Sequence, residues 1–359
     1  MIKDVLIKNF KCFENLSIPE LQRVTLVGGR NNVGKTALLE ALFLFVDRLN
    51  PNMIVRQYGW RGIEGVRGDP QAMFGPIFCD FDLKKEVLIS AAINDGQEDA
   101  HFKFNPDYIP PSDSAIPTPP ANQQIPTDES PKSIFALDIT YDRHDGSKQQ
   151  TSHLYIHPQR GLTLKVDYIV VGKHHKAIFL AAKKHTAPKE ISEWFSDFVK
   201  ESREGEIVDF LRIIEPRLET LKIVQEGPVA FVHGKLQGLL RTLDIHLMGE
   251  GMEKLLNIAL AIAQSPGGCI FVDEFENGLH YSCLSNVWSA ISQMLSKYDC
   301  QLFTTTHSHE CIHSAYKGLA DMSSDFRYIR LDRSTGKIEA KLLNYEMLGD
   351  ALVSDLEIR

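Results

Sequence analysis

Apolar and polar residues alternate from Ile2 to Phe10, the two-residue period of a strand with one buried face. A turn-rich return over Lys11–Glu20 leads to Val24–Val27, a short β-branched apolar run. Ala37–Val46 is apolar and rich in helix formers, so a strand, a glycine-containing loop and a helix follow one another. Val87–Asn94, Ile134–Tyr141, His153–Ile156, Tyr168–Val171 and Ala177–Leu180 read as further strands, with Asn94-Asp95-Gly96 as a hairpin turn. Glu190–Val199 carries Ile191, Trp194, Phe195 and Phe198 at helical spacing, and a second short helix over Glu206–Ile214 stops before Pro216. Leu221–Val224 and Val229–Val232 flank Gly227-Pro228 as short strands. A helix runs to Ala263, strands follow at Cys269–Val272, at the stretch from Gln301, at Phe326–Leu331 and at Lys337–Leu342, and a helix over Tyr345–Leu356 closes the chain. The pattern predicts an α/β core made from the two ends of the chain, residues 1–50 and 222–359. Residues 51–221 form an inserted antiparallel β lobe and a helical segment.

Composition narrows the class. Of 359 residues, 43% are hydrophobic, enough for a proper core, and a formal net charge of −8 does not describe a protein that coats polyanions. Lys173–Lys176 and Lys183-Lys184 are small basic clusters that leave direct DNA contact open. The six cysteines form no CxxC pair, so neither a disulfide framework nor a zinc ribbon is indicated. With no signal-peptide core at the N-terminus and no span-length apolar run, a soluble, cytoplasmic protein is expected, with no membrane partner. Residues 105–133 are rich in proline and polar residues and are expected to be a mobile loop.

The chemistry concentrates in four stretches. Gly29, Arg30, Asn31, Asn32, Val33, Gly34, Lys35 and Thr36 match G-x-x-x-x-G-K-[ST] between a strand and a helix. Glycines let successive N–H groups point into one concavity at a helix N-terminus, where phosphates bind. Lys35 is placed on the β- and γ-phosphates and Thr36 on Mg²⁺. Leu247-Met248-Gly249-Glu250-Gly251-Met252 opens a helix with glycines, a second anion site. An apolar strand ends in Asp273-Glu274, the first assigned to Mg²⁺ and the second to the attacking water. Another ends in Thr304-Thr305-Thr306-His307, where His307 is placed to sense the γ-phosphate. A rival motif begins two residues past the last stretch: His309-Glu310-Cys311-Ile312-His313 matches H-E-x-x-H, a zinc-protease pattern.

In this order the stretches resemble Walker A, signature, Walker B, D-loop (Glu276–His280) and H-loop of an ABC-type ATPase. The asparagine pair in the phosphate loop and Asp-Glu-x-Glu-Asn-Gly-Leu-His are similar to the SMC/RecF-like branch and, within it, to the ATPase part of OLD-family (overcoming lysogenization defect) proteins. The resemblance implies a P-loop fold of ABC type: a mixed central sheet with an antiparallel β lobe and a short helical insertion. It implies Mg-dependent ATP hydrolysis and a head-to-tail homodimer or higher oligomer that traps ATP between one subunit's Walker A and the other's signature. It further implies a role in anti-phage defence or DNA repair beside an effector. The chain departs from the pattern twice. Gly249-Glu250-Gly251 lacks the signature serine, and no Toprim nuclease stretch follows the ATPase, so a nuclease or toxin effector is expected as a separate chain. The alternative is a slow-turnover, ATP-gated scaffold. Gln57 and Gln71 stand as candidates for the family's Q-loop glutamine.

Overall fold

The computed structural model describes residues 1–48, 50, 53–61, 69–93, 96–110, 134–157, 161–167, 176–334, 336–354 and 356–358. The Asn94-Asp95 turn, Tyr168–Val171, Lys173 to His175 and the greater part of the proline-rich stretch lie outside them. In chain order the strands are β1 (Ile2–Phe10), β2 (Phe13–Ile18), β3 (Val24–Gly29), β4 (Val87–Ile93), β5 (Gly96–Tyr108), β6 (Ile134–Asp142), β7 (Gln150–His157), β8 (Gly161–Val166), β9 (Ala177–Leu180), β10 (Leu218–Glu226), β11 (Val229–Leu236), β12 (Leu243–Asp244), β13 (Cys269–Val272), β14 (Gln301–Thr305), β15 (Phe326–Ser334) and β16 (Lys337–Leu343). The helices are α1 (Lys35–Val46), α2 (Met53–Trp60), α3 (Pro70–Met73), α4 (Pro188–Lys200), α5 (Glu204–Leu211), α6 (Glu250–Ala263), α7 (Leu284–Tyr298), α8 (His309–Gly318) and α9 (Tyr345–Val353).

Two large sheets enclose α1. One is mixed, in the order β16-β15-β3-β14-β13-β9, with β15, β3, β14, β13 and β9 parallel and β16 antiparallel at one edge. The other is antiparallel, in the order β2-β1-β4-β5-β6-β7-β8. Ala37 to Val46 are all buried, because α1 meets apolar side chains on every side and not on one stripe alone. Leu38, Leu39, Leu42, Phe43, Leu44 and Phe45 are at most 1% exposed. Each contributes about 1.5–3 kcal/mol. The one acid in this helix, Glu40, is fully buried and neutralised by Lys11 at 2.5 Å and Arg61 at 2.7 Å. The opposite face of the mixed sheet carries α6, α7 and α8, with α4, α5 and the small β10-β11-β12 sheet packed outside them.

Two expectations change. The pattern puts Ala177–Leu180 in the antiparallel lobe, but β9 pairs in parallel with β13 and forms the edge of the mixed sheet. Four apolar residues have no periodicity that separates the two settings; the partner decides. Likewise the divisions at 50 and 222 do not follow the sheets, since β1 and β2 belong with β4–β8 and β9 belongs with β13. Among the described residues no helix is long and apolar enough to cross a membrane.

The helical segment is tied to the core by charge. Arg203 and Lys297 both reach Glu206, at 3.0 and 2.7 Å, and hold its carboxyl down at about 2, against 4.5 ordinarily. A depressed carboxyl contributes stability above its unfolded pKa and loses it as pH falls toward the folded one. With the pair more than a third exposed, solvent screening leaves about 1 kcal/mol. Glu206→Gln is therefore expected to be destabilising by that amount at pH 7. The gap from wild type should close as pH falls from 4.5 toward 2, measured by urea titration.

Candidate functional site: a phosphate loop facing two carboxylates

Parallel strands deliver the site, as expected for ligands bound at the carboxyl ends of such a sheet. β3 leads into the loop and then α1. Gly29 (φ 134°) has room for no side chain, since an added Cβ would stand 2.4 Å from the Leu331 carbonyl oxygen. Gly34 (φ 93°) caps α1, and a Cβ there would meet Cys12 Sγ at 2.7 Å. These two positions need glycine for both conformation and space. No side chain caps α1, so its first N–H groups remain available for an anion. Lys35 Nζ donates to the carbonyl oxygens of Gly29 (2.7 Å) and Arg30 (2.9 Å), folded along the loop. Burial lowers its pKa, opposed by Asp273, Glu274 and Glu276.

The stretches that lie far apart in sequence meet here. Thr36 Oγ1 donates to Asp273 at 3.0 and 3.2 Å across 237 positions of sequence. Thr305 Oγ1, at the end of the neighbouring β14, donates to the same carboxylate at 2.6 Å. Burial raises the Asp273 pKa, and the two threonine hydroxyls oppose the shift. A hydroxyl and a carboxylate facing one another are hard oxygen donors of the kind Mg²⁺ takes, so the residues present fit that ion.

Glu274 is held in a left-handed backbone conformation (φ 49°). Its N–H donates to Thr305 Oγ1 at 2.8 Å, its carbonyl accepts from Lys254 Nζ at 2.5 Å, and its carboxylate accepts from Asn277 Nδ2 at 2.7 Å. Burial lowers the Lys254 pKa to about 8. His307 is half-exposed; its backbone N–H donates to Glu276 Oε1 at 2.9 Å, and its Nδ1 lies 3.1 Å from the same oxygen. Phe275 stacks on Trp288 with ring centroids 3.9 Å apart and so fastens the loop after β13 to α7.

Gly249, Glu250 and Gly251 open α6 as expected, yet they pack on the loop after β13. A Cβ on Gly251 would stand 2.6 Å from the Gly278 carbonyl oxygen. Among the described residues no hydrogen bond ties them to Gly29–Thr36. Of the two glutamine candidates, Gln57 is buried in α2 with neither amide atom partnered, and Gln71 donates to the Phe81 carbonyl at 3.0 Å. In the H-E-x-x-H stretch, Glu310 accepts from Ser308 Oγ at 2.8 Å in the first turn of α8, while His309 and His313 are exposed. No group of three His, Cys, Asp or Glu side chains among the described residues stands ready for a metal.

Two contributors escaped the sequence reading, Thr305 as a bridge between Asp273 and Glu274, and Lys254. The second had a faint signal, being the one cation in the helix that the glycines open. A cleft of about 510 Å³ also opens beside Asp273, lined by α2, the loop after β9, α4 and α6.

The chain is similar to known proteins. Residues 24–311 match the family described as "AAA domain, putative AbiEii toxin, Type IV TA system". An "ATP/GTP phosphatase" of Helicobacter pylori (strain ATCC 700392 / 26695) is 24% identical over 335 residues, 87% of this chain and 86% of that protein. Among solved structures, the Smc head bound to the C-terminal winged-helix domain of ScpA aligns with a TM-score of 0.51 at 15% identity. The alignment covers 97% of this chain and 99% of that one, a likeness of fold: an ABC-type P-loop ATPase domain.

Proposed function

Because the chain belongs to that AAA-domain family, we propose that it binds and hydrolyses ATP with Mg²⁺ and uses the cycle to open and close a homodimer. One observation carries the hydrolytic part, the Thr36 hydroxyl resting on the Asp273 carboxylate at 3.0 Å. It joins a phosphate loop to a buried acid at one point, where a triphosphate and its ion would sit. The related phosphatase supports the same chemistry.

The free N–H groups at the start of α1 hold the phosphates, and Lys35 turns from the Gly29 and Arg30 carbonyls onto the β- and γ-phosphate oxygens. Thr36 and Asp273 would hold Mg²⁺, which neutralises charge developing on the phosphates. Glu274, its backbone fixed by Thr305 and Lys254, orients a water and accepts its proton. The water oxygen bonds to the γ-phosphorus, the bond to the bridging oxygen breaks, and ADP and phosphate result. His307, held through Glu276, faces the γ-phosphate. Among the described residues no hydrogen bond joins the start of α6 to the phosphate loop of its own chain, which supports engagement of a second copy's nucleotide by Gly249–Gly251. The missing signature serine leaves that contact to backbone N–H groups.

The family description names a putative toxin and a Type IV TA system. In this reading a separately encoded effector, toxin or nuclease, stands under the control of this ATPase in anti-phage defence as in OLD-like proteins, or in DNA repair. Lys35→Ala tests the site itself. ATP affinity is expected to fall at least about a hundredfold with the fold intact, since a buried charge-assisted phosphate contact is lost. Unchanged affinity by titration calorimetry would refute the phosphate-loop role.

A further inference from the structure

β10 is the free edge of the small sheet, whose order is β10-β11-β12. The far side of β11 pairs with β12 through His233 and Gly234, and among the described residues no strand pairs with the outer side of β10. Glu226 faces Val229 across the two-residue turn Gly227-Pro228, and a turn of that length is closed by a hydrogen-bonded pair. Such pairs alternate with non-bonded ones along an antiparallel ladder. Lys222, Val224 and Glu226 therefore direct their backbone groups to β11, and Leu221, Ile223 and Gln225 direct theirs outward. The edge is guarded over its first part only. Arg212 donates to the carbonyls of Leu218 (2.8 Å) and Glu219 (3.3 Å), and the register shifts between Leu218 and Thr220. A capped or bent edge refuses a further strand, but neither device reaches Leu221–Glu226.

A groove of about 630 Å³ follows this edge, with Gly205 and Val208 of α5 on one side and Leu221 and Ile223 on the other. Val199, at the end of α4, stands in it 44% exposed. An added strand would thus find free N–H and C=O groups beside it and an apolar wall beneath. The sequence of β10 fits its own edge. Two copies set antiparallel about a two-fold axis at Val224 bring Ile223 opposite Gln225 twice, and both of these direct their backbone groups outward. The same register sets Lys222 of each copy opposite Glu226 of the other, a pair of opposite charges on one face. An axis at Ile223 would leave Lys222 opposite Val224, and an axis at Lys222 would set like charges against each other. Lys222 and Glu226 are both exposed, and among the described residues Lys222 Nζ has no carboxylate partner, while Glu226 has only His233 Nε2 at 3.5 Å.

We propose that Leu221–Glu226 of β10 pairs with the same edge of a second copy and joins two three-stranded sheets into one across a two-fold axis. No residue of the phosphate loop, of Asp273-Glu274 or of Gly249–Gly251 lines the groove. The contact is therefore separate from the nucleotide-gated one proposed above and forms without ATP. Two isologous interfaces on one chain assemble a tetramer, in which ATP doubles the mass of the species that β10 sets.

The test is sedimentation equilibrium of the full chain without nucleotide, over a wide range of protein concentration. The proteins are wild type, Lys222→Glu, Glu226→Lys, the two reversals combined in one chain, and Gln225→Pro. Wild type is expected to dimerise. Each single reversal should weaken the dimer at least about tenfold, because symmetry makes it act at two pairs. The combined reversal should return the affinity to within about threefold of wild type, since each new glutamate again faces a lysine. For the same reason an equal mixture of the two single variants should form a mixed dimer, a rescue that a change in the fold of either chain would not give. Gln225→Pro removes an N–H that points away from β11 and should leave a monomer with wild-type thermal melting. Wild type that stays monomeric at every concentration would overturn the proposal. So would a dimer indifferent to the single reversals and to the proline, or single variants that mixing does not rescue.

Discussion

Glu274→Gln is expected to cut ATP turnover by about 10²–10⁴-fold while leaving nucleotide affinity nearly intact. The change removes the proton acceptor and keeps shape. Gln still accepts from Asn277 Nδ2 through its carbonyl oxygen, and the Glu274 backbone bonds to Thr305 and Lys254 are untouched. Phosphate release under saturating ATP reads the loss. The same variant should accumulate as an ATP-bound dimer, seen as a mass doubling in light scattering with ATP and not with ADP. Turnover within twofold of wild type would remove Glu274 from its role as base. Loss of turnover without a dimer would leave the base in place and refute the clamp. Slow wild-type turnover with a stable ATP dimer would favour an ATP-gated scaffold.

The largest effect on stability is expected at Trp288. Its ring is fully buried in α7, among the side chains that cover one face of the mixed sheet, and it stacks on Phe275 at an interplanar angle of 15°. Truncation to alanine removes that area and leaves a cavity that the surrounding helices fill only in part. The cost is about 3–5 kcal/mol, a large share of a total stability of about 5–15 kcal/mol. Phe275 adjoins Glu274, so the variant should lose turnover more steeply than thermal stability alone accounts for at temperatures where it is still folded. Trp288→Phe keeps the stacking and should recover more than half of both losses. Thermal melts and single-turnover assays below the transition separate the two effects. An alanine variant with a wild-type melting point would show that the ring is not a support.

Much of the site is local in origin and therefore visible in the sequence. A phosphate loop needs a strand, two glycines with left-handed φ, and a helix start, all within about fifteen residues, and Val24 to Val46 carries every part. Asp273-Glu274 shows itself as an apolar run that stops in two acids. The alternation of Ile2–Phe10 likewise gives a half-buried strand, with Ile2, Val5, Ile7 and Phe10 buried.

What the sequence alone left open depends on contacts between distant segments. Ala177–Leu180 is a four-residue apolar run that fits either sheet; only pairing with β13 brings its end against Asp273, whose N–H donates to the Leu180 carbonyl. Thr305 and Lys254 become parts of the site because β14 ends and α6 begins against the same turn, and neither residue type announces that role by itself. The sequence by itself determined that a phosphate-loop motif between a strand and a helix, and a pair of acids at a strand end, exist in this protein. The tertiary structure decided that they share one point in space, and which other residues stand around it. Backbone conformation is set by near neighbours and can be read along the chain, whereas side chains hundreds of positions apart are brought within 3 Å only by the packing of whole sheets and helices.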